Sequence, residues 1–308
     1  MGHNHDHSHG AAEAGAARLW IAFGLTTGIA LAQFVGSILT GSLALLTDTA
    51  HAFVDASGLL IAVFAASIAN RPATATRTWG FRRVEVIAAL AQATILFGVG
   101  VYAVIEALRR FAEPPEVPGM QLLVFGAIGL VANIVSMSVL FSGRESSFNM
   151  RAAFLEVVSD ALGSIGVIVA ALVIHITGYQ RADAIAGLLI AALILPRAVV
   201  LMRDTTRVLM EFAPEGLDLD DVRRHIMELD HVLDVHDVHA SMVDSGLPVL
   251  SAHVVVSDEC FADGHAAQLL KSVRECVATH FDVAILHSTF QIETQEIANS
   301  EDADVRHR

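Results

Sequence analysis

Two short stretches set ionisable residues four apart inside apolar sequence: "TDTAHAFVD", with His51 and Asp55, and "LEVVSDALG", with Glu156 and Asp160. On a helix, residues four apart share a face and stand about 6 Å apart along the axis. If the two helices touch, one imidazole and three carboxylates converge. That set suits a divalent cation, since it offers a borderline nitrogen and several hard oxygens. With no cation among them, three carboxylates repel, and some must hold protons. The competing reading is a hydrogen-bonded polar patch that only fixes helix packing, and Gln33, Gln92 and Asn133 are read that way. Ionisable residues within a span are costly and mark ion or proton paths, which favours ligands here. Asp48 reads equally as a vestibule residue or a ligand. Asp183, beside Arg181, reads as a helix-end charge.

The elements that must carry these residues are hydrophobic spans. Of 308 residues, 54% are hydrophobic, and the mean hydropathy is +0.57. Six nearly uncharged runs follow one another: Leu19–Leu39, Leu43–Ala69, Val86–Ile105, Met120–Phe141, Ala152–Ile176 and Ala184–Met202. Each is near the ~20 residues that a helix needs to cross a bilayer. Six in succession on short polar connectors argue against buried helices of a soluble core. Counting along these spans, Asp55 and Asp160 both fall roughly 12 Å from the cytoplasmic boundary. With the N-terminus inside, the inner flanks collect Arg18, Arg71, Arg77, Arg82, Arg83, Arg144, Arg151, Arg203 and Arg207. The outer loops collect Arg109, Arg110 and Arg181. This asymmetry predicts that both termini are cytoplasmic. The start "MGHNHDHSHG" lacks a basic n-region and is not read as a cleavable signal.

The chain divides into a His-rich, disordered segment (1–17), a membrane domain (18–211), a soluble domain (212–294) and a flexible tail (295–308). From Phe212 onward there are 19 acidic and 6 basic residues. Such a balance argues against nucleic acid as a partner and is compatible with cations. The soluble part reads as helix, strand, strand, helix, strand, a small α+β layer whose strand order is not legible. Cys260 and Cys276 form no C-x-x-C pair and are read as reduced structural thiols.

The stretches "SLALLTDTAHAFVD", "TWGFRRVEVIAAL", "LEVVSDALGS", "VHDVHASM", "SAHVVVS" and "HSTFQIE" resemble the cation diffusion facilitator family. Within it they look most like the bacterial cobalt–zinc–cadmium resistance branch. The resemblance runs from about residue 18 to Glu293. It implies six membrane helices, a cytoplasmic ferredoxin-like domain, a homodimer in the inner membrane, and export of divalent metal against protons. By motif position, His51, Asp55, Glu156 and Asp160 take the transport-site places. Many zinc members carry His where this chain has Glu156, so the set here is richer in hard oxygen. The resemblance also places regulatory metal ligands at His236, His253 and His287, with His265 and Glu293 as further candidates. The tryptophan common after the H-D-x-H stretch is replaced by Ala240 and Ser241.

Alternating His3, His5, His7 and His9 suit transient chelation by a flexible segment, against the bland reading of a polar start or tag remnant. His225, His231, His280 and His307 are read as surface residues. The sequence therefore predicts a non-enzymatic secondary transporter with no prosthetic group. It exports Zn²⁺, with Co²⁺ and Cd²⁺, from the cytoplasm in exchange for protons. An iron or manganese exporter of the same family is the alternative, since three oxygen ligands suit harder ions. A membrane-anchored metal sensor would not need four ligands inside the membrane. An intramembrane metallohydrolase lacks its H-E-x-x-H.

Overall fold

A computed structural model describes residues 24, 27–69, 73–141, 148–262 and 264–300, the side chains of 58, 59, 61–69, 148–153 and 156 excepted. His3, His5, His7 and His9, and the tail from 301, lie outside these residues. Two compact units emerge: Met1–Phe64 with Ala88–Met202, and Ala65–Ile87 with Arg203–Arg308.

The membrane domain consists of α1 (Thr27–Thr40), α2 (Leu43–Ala69), α3 (Arg83–Ala112), α4 (Gly119–Phe141), α5 (Phe148–Thr177) and α6 (Arg181–Leu209). The stretches Arg83–Ala112, Gly119–Phe141, Val157–Thr177 and Arg181–Leu209 are each long and apolar enough to cross a membrane. Several helices outrun the apolar runs, because charged ends such as Arg109 and Arg110 continue a helix without entering hydrocarbon. Gly41, at φ 65°, ends α1 in the left-handed region, where its N–H reaches Ser37 O at 2.9 Å, so α2 follows almost at once. Within α2, Thr47 and Thr49 return their hydroxyls to Leu43 O (2.8 Å) and Leu45 O (2.6 Å), which satisfies them in an apolar setting.

The core of this unit is rich in alanine: Ala44, Ala170, Ala171, Ala182, Ala186 and Ala198 are all buried. Small residues let helix backbones approach, which supplies the packing energy that lipid does not. Gly126 and Gly129 on α4 are needed for this. A Cβ on Gly126 would press on Ile168 and Val167, and one on Gly129 on Gln33.

The second unit contains α7 (Leu219–Met227), β1 (Val232–Met242), β2 (Pro248–Val256), α8 (Glu259–Ala262), α9 (His265–Thr279), β3 (His287–Thr294) and α10 (Gln295–Ser300). Asp218 caps α7, accepting from Asp220 N–H, and acidic residues fill its first turn, as helix N-termini favour. The sheet order is β1-β2-β3, with β1 and β2 antiparallel and β2 and β3 parallel across the α9 crossover. Val222 and Ile226 of α7 and Leu269, Val273 and Val277 of α9 pack on Val235, Ala252 and Val254. This is the α+β layer expected. One difference lies at its end: α10 carries regular structure into the stretch expected to be a loose tail. Ile297 N–H bonds Thr294 Oγ1, and Ala298 is buried.

Candidate metal centre

Antiparallel packing of α2 and α5 brings together the first of the two pairs and half of the second. His51 Nε2 lies 3.3 Å from Asp55 Oδ2 and 3.6 Å from Asp160 Oδ1. His51, Asp55 and Asp160 are all buried, and one ligand atom from each fits within 4.8 Å of the others. That spread is what a single small cation bridging nitrogen and oxygen ligands requires. Glu156 sits on α5 one turn before Asp160, but its side chain lies outside the described residues.

One turn beyond His51, Asp48 accepts a hydrogen bond from Gln33 Nε2 at 2.9 Å, and Asn133 Nδ2 donates to Ser164 Oγ at 3.3 Å. Gln33 and Asn133 thus hold neighbouring helices, as expected of packing residues. Gly163 is the close approach here, because a Cβ on it would overlap the Asp48 carboxylate. Asp48 and His51 line one cavity with Ser159 and Gly163 of α5 and Arg197 of α6. Arg197 is a residue that sequence reasoning missed. The run Ala184–Met202 read as plain span, yet a lone guanidinium inside it was itself the signal.

Asp183 does more than close a helix end. It receives Leu43 N–H (2.7 Å), Ala44 N–H (3.3 Å) and the Ser42 hydroxyl, with Arg110 Nη1 at 3.5 Å. A carboxylate on α6 therefore caps α2, the helix that carries His51 and Asp55.

A second cluster lies in the sheet. Pairing of β1 with β2 sets His236 opposite His253, and their rings lie 5.1 Å apart. Glu293 of β3, 1% exposed, reaches His236 Nε2 at 3.3 Å and His253 Nδ1 at 3.6 Å, and Gln291 Nε2 donates to it at 2.8 Å. Asp237 joins His236 and His253 as a third possible ligand within 4.8 Å. It takes φ 49° at a register shift between His236 and His239, and such a bulge re-aims successive side chains. Sequence reasoning passed over Asp237.

His287 and His265 do not join this cluster. Parallel register puts His287 beside Val249 and Gln291 beside His253, so His287 stands about 13 Å away along the strand. It meets Trp79 edge-on instead, at 4.9 Å. His265 stacks on His231, ring centroids 5.8 Å apart. Cys260 and Cys276 are free and buried; burial, then the nearby Glu228 carboxylate, pushes the Cys276 thiol above its ordinary value.

Four stretches long and apolar enough to span a bilayer, with a buried imidazole–carboxylate cluster between α2 and α5, define a membrane protein with a group of residues that could hold a cation. The profile of the cation efflux transmembrane domain matches residues 19–210. The chain is 38% identical to the metal cation efflux system protein CzcD of Cupriavidus metallidurans, over 98% of this chain and 92% of that protein. It is 38% identical to the zinc transporter ZitB of Escherichia coli, over 96% of this chain and 93% of the relative. To the cadmium, cobalt and zinc/H(+)-K(+) antiporter of Bacillus subtilis it is 34% identical, over 96% and 93%. The chain belongs to the cation efflux (cation diffusion facilitator) family, and it is a multi-pass membrane protein.

Proposed function

We propose that the protein is a secondary active transporter that moves Zn²⁺ out of the cytoplasm in exchange for protons, with Co²⁺ and Cd²⁺ as further cargo. The observation that carries this reading is the buried contact of His51 with Asp55 and Asp160, made by two membrane helices of a cation efflux domain. The names of these relatives, which include zinc, cobalt, cadmium and protons, support the cargo. His51, Asp55, Glu156 and Asp160 form the transport site in this reading. Metal binds deprotonated ligands, so loading from the cytoplasm displaces protons, and alternating access offers the same centre to each side in turn. The protein works as a homodimer in a bacterial inner membrane, with both termini cytoplasmic. The domain of 212–294 then hangs in the cytoplasm, where His236, Asp237, His253 and Glu293 hold a regulatory cation. Its acidic charge sets two copies against each other, and bound cations offset that repulsion. His3, His5, His7 and His9 raise the local metal concentration near the entrance.

The described ligands are two carboxylates and one imidazole, which also suit harder ions, so manganese and ferrous iron are the competing cargo. The test is metal flux into proteoliposomes under an imposed proton gradient. Zinc movement that follows the gradient and vanishes in Asp55→Ala supports the reading. Preference for manganese or iron over zinc replaces the cargo, and metal binding without any flux makes the protein a sensor.

A further inference from the structure

Arg197 places a charge in α6 where hydrocarbon would be expected to need none. It follows Pro196 and lines the cavity shared by Asp48 and His51. That cavity, about 20 Å³, has room for roughly one water-sized occupant. Among the described residues lining it, Arg197 is the one guanidinium or ammonium.

The geometry also aims the side chain. Asp183 caps α2, so the heads of α2 and α6 stand level, and residues of both helices descend along the same cavity. At ~1.5 Å per residue, the Arg197 backbone lies about 21 Å below Asp183, and Asp55 about 18 Å below Leu43. Side chains on a helix lean towards its N-terminus, which tilts the Arg197 side chain from its own level towards that of Asp55. Arg197 as a whole is exposed, so its long stem has room to withdraw the head group.

The centre needs such a charge. Asp55 and Asp160 flank His51, Asp48 lies one turn away, and α5 carries Glu156. Once a divalent cation leaves, Asp55 and Asp160 stay beside His51 in a medium of low dielectric, where any carboxylate charge that protons do not neutralise is costly without a positive charge nearby. Arginine stays charged in proteins, so it offers a positive charge that never departs.

We infer that Arg197 is the tethered counter-ion of the empty transport centre: after metal release its guanidinium balances the carboxylate charge that the returning protons leave, and it withdraws when the next metal binds. This rests on reading the His51 centre as the transport site. Arg197 is thus a positioning charge for the return of the empty carrier, and it also weakens metal binding, because each incoming cation must displace it.

The two roles separate experimentally. Full-length protein, Arg197→Gln and Arg197→Lys are reconstituted and assayed for net zinc transport and for zinc-for-zinc exchange at saturating zinc on both sides. Exchange requires only the loaded centre to reorient. Arg197→Gln is expected to bind zinc at least about tenfold more tightly by calorimetry in detergent, since a repelling cation has gone. Its net transport falls about tenfold or more, while exchange falls far less; Arg197→Lys retains most of both. Equal losses of net transport and exchange in Arg197→Gln would mean a packing role and overturn the inference. So would unchanged affinity and transport. A parent protein that moves zinc in neither mode overturns the transport reading itself, and the counter-ion with it.

Discussion

Asp183→Ala removes the acceptor for two backbone N–H groups at the start of α2. Leu43 and Ala44 are 0% exposed, so no water replaces the lost carboxylate. A buried donor left unpaired costs about 1–3 kcal/mol. Two such donors, with the Ser42 hydroxyl freed as well, give about 3–5 kcal/mol. Arg110 adds little, because it retains Glu106 at 3.1 Å and Gly41 O at 2.6 Å. Asp183→Asn keeps one acceptor oxygen and loses the charge that favours a helix N-terminus, which costs about 1 kcal/mol. The order of stability is therefore parent, Asn, Ala. Thermal unfolding in detergent reads it, with an apparent midpoint for Asp183→Ala lower by roughly 10 °C. Because α2 carries His51 and Asp55, metal affinity should fall in the same order. If Ala and Asn unfold together with the parent, the cap does not hold α2 and the reasoning fails.

Asp160→Asn preserves shape while removing a charged ligand. Zinc flux should drop by at least about a hundredfold with the protein still folded, and flux at the parental level would remove Asp160 from the centre. Glu293→Ala should lower metal binding of the full-length protein at its second cluster by about 10–100-fold and abolish metal-induced compaction seen by small-angle scattering, whereas His287→Ala should leave both as they are. Equal effects of the two changes would restore His287 as a ligand. The raised thiol of Cys276 favours the neutral form in the fold. Its contribution to stability is therefore complete below the ordinary thiol pKa of ~8.5 and is lost as pH rises through and above it. Maleimide labelling at neutral pH should be slow until denaturant is added; rapid labelling of folded protein would contradict its burial.

The membrane centre was legible because helical periodicity is local. Two pairs at i, i+4 need only the assumption that their helices touch, and His51, Asp55 and Asp160 do meet. The sheet cluster depended on register, which no local pattern encodes. A parallel partner can slide along β2, and only the observed pairing tells Glu293 from His287 as the neighbour of His253. Asp237 was hidden for a related reason, since a left-handed residue inside a strand breaks the alternation that a reader relies on. Asp183 was recognised as a helix-end charge, but the end it serves belongs to another helix. Arg197 was in plain view, but a run that carries a single charge still reads as a nearly uncharged span.

The alanine seam of the membrane unit has a mechanical consequence. Leucine knobs seated in holes act as teeth: a helix that slides must lift each one over a ridge and find it a new rotamer. Ala44, Ala170, Ala171, Ala182, Ala186 and Ala198 present short, blunt surfaces with no rotamer to reset. At these positions a displacement of an ångström or so meets much the same surface it left, while Leu45, Leu122, Ile174, Ile190 and Ile194 of the same core are the teeth that remain. Substitutions along this seam should be graded by bulk more than by polarity. Serine would pass where leucine jams, and a jammed protein could still bind its ion while failing to let it go.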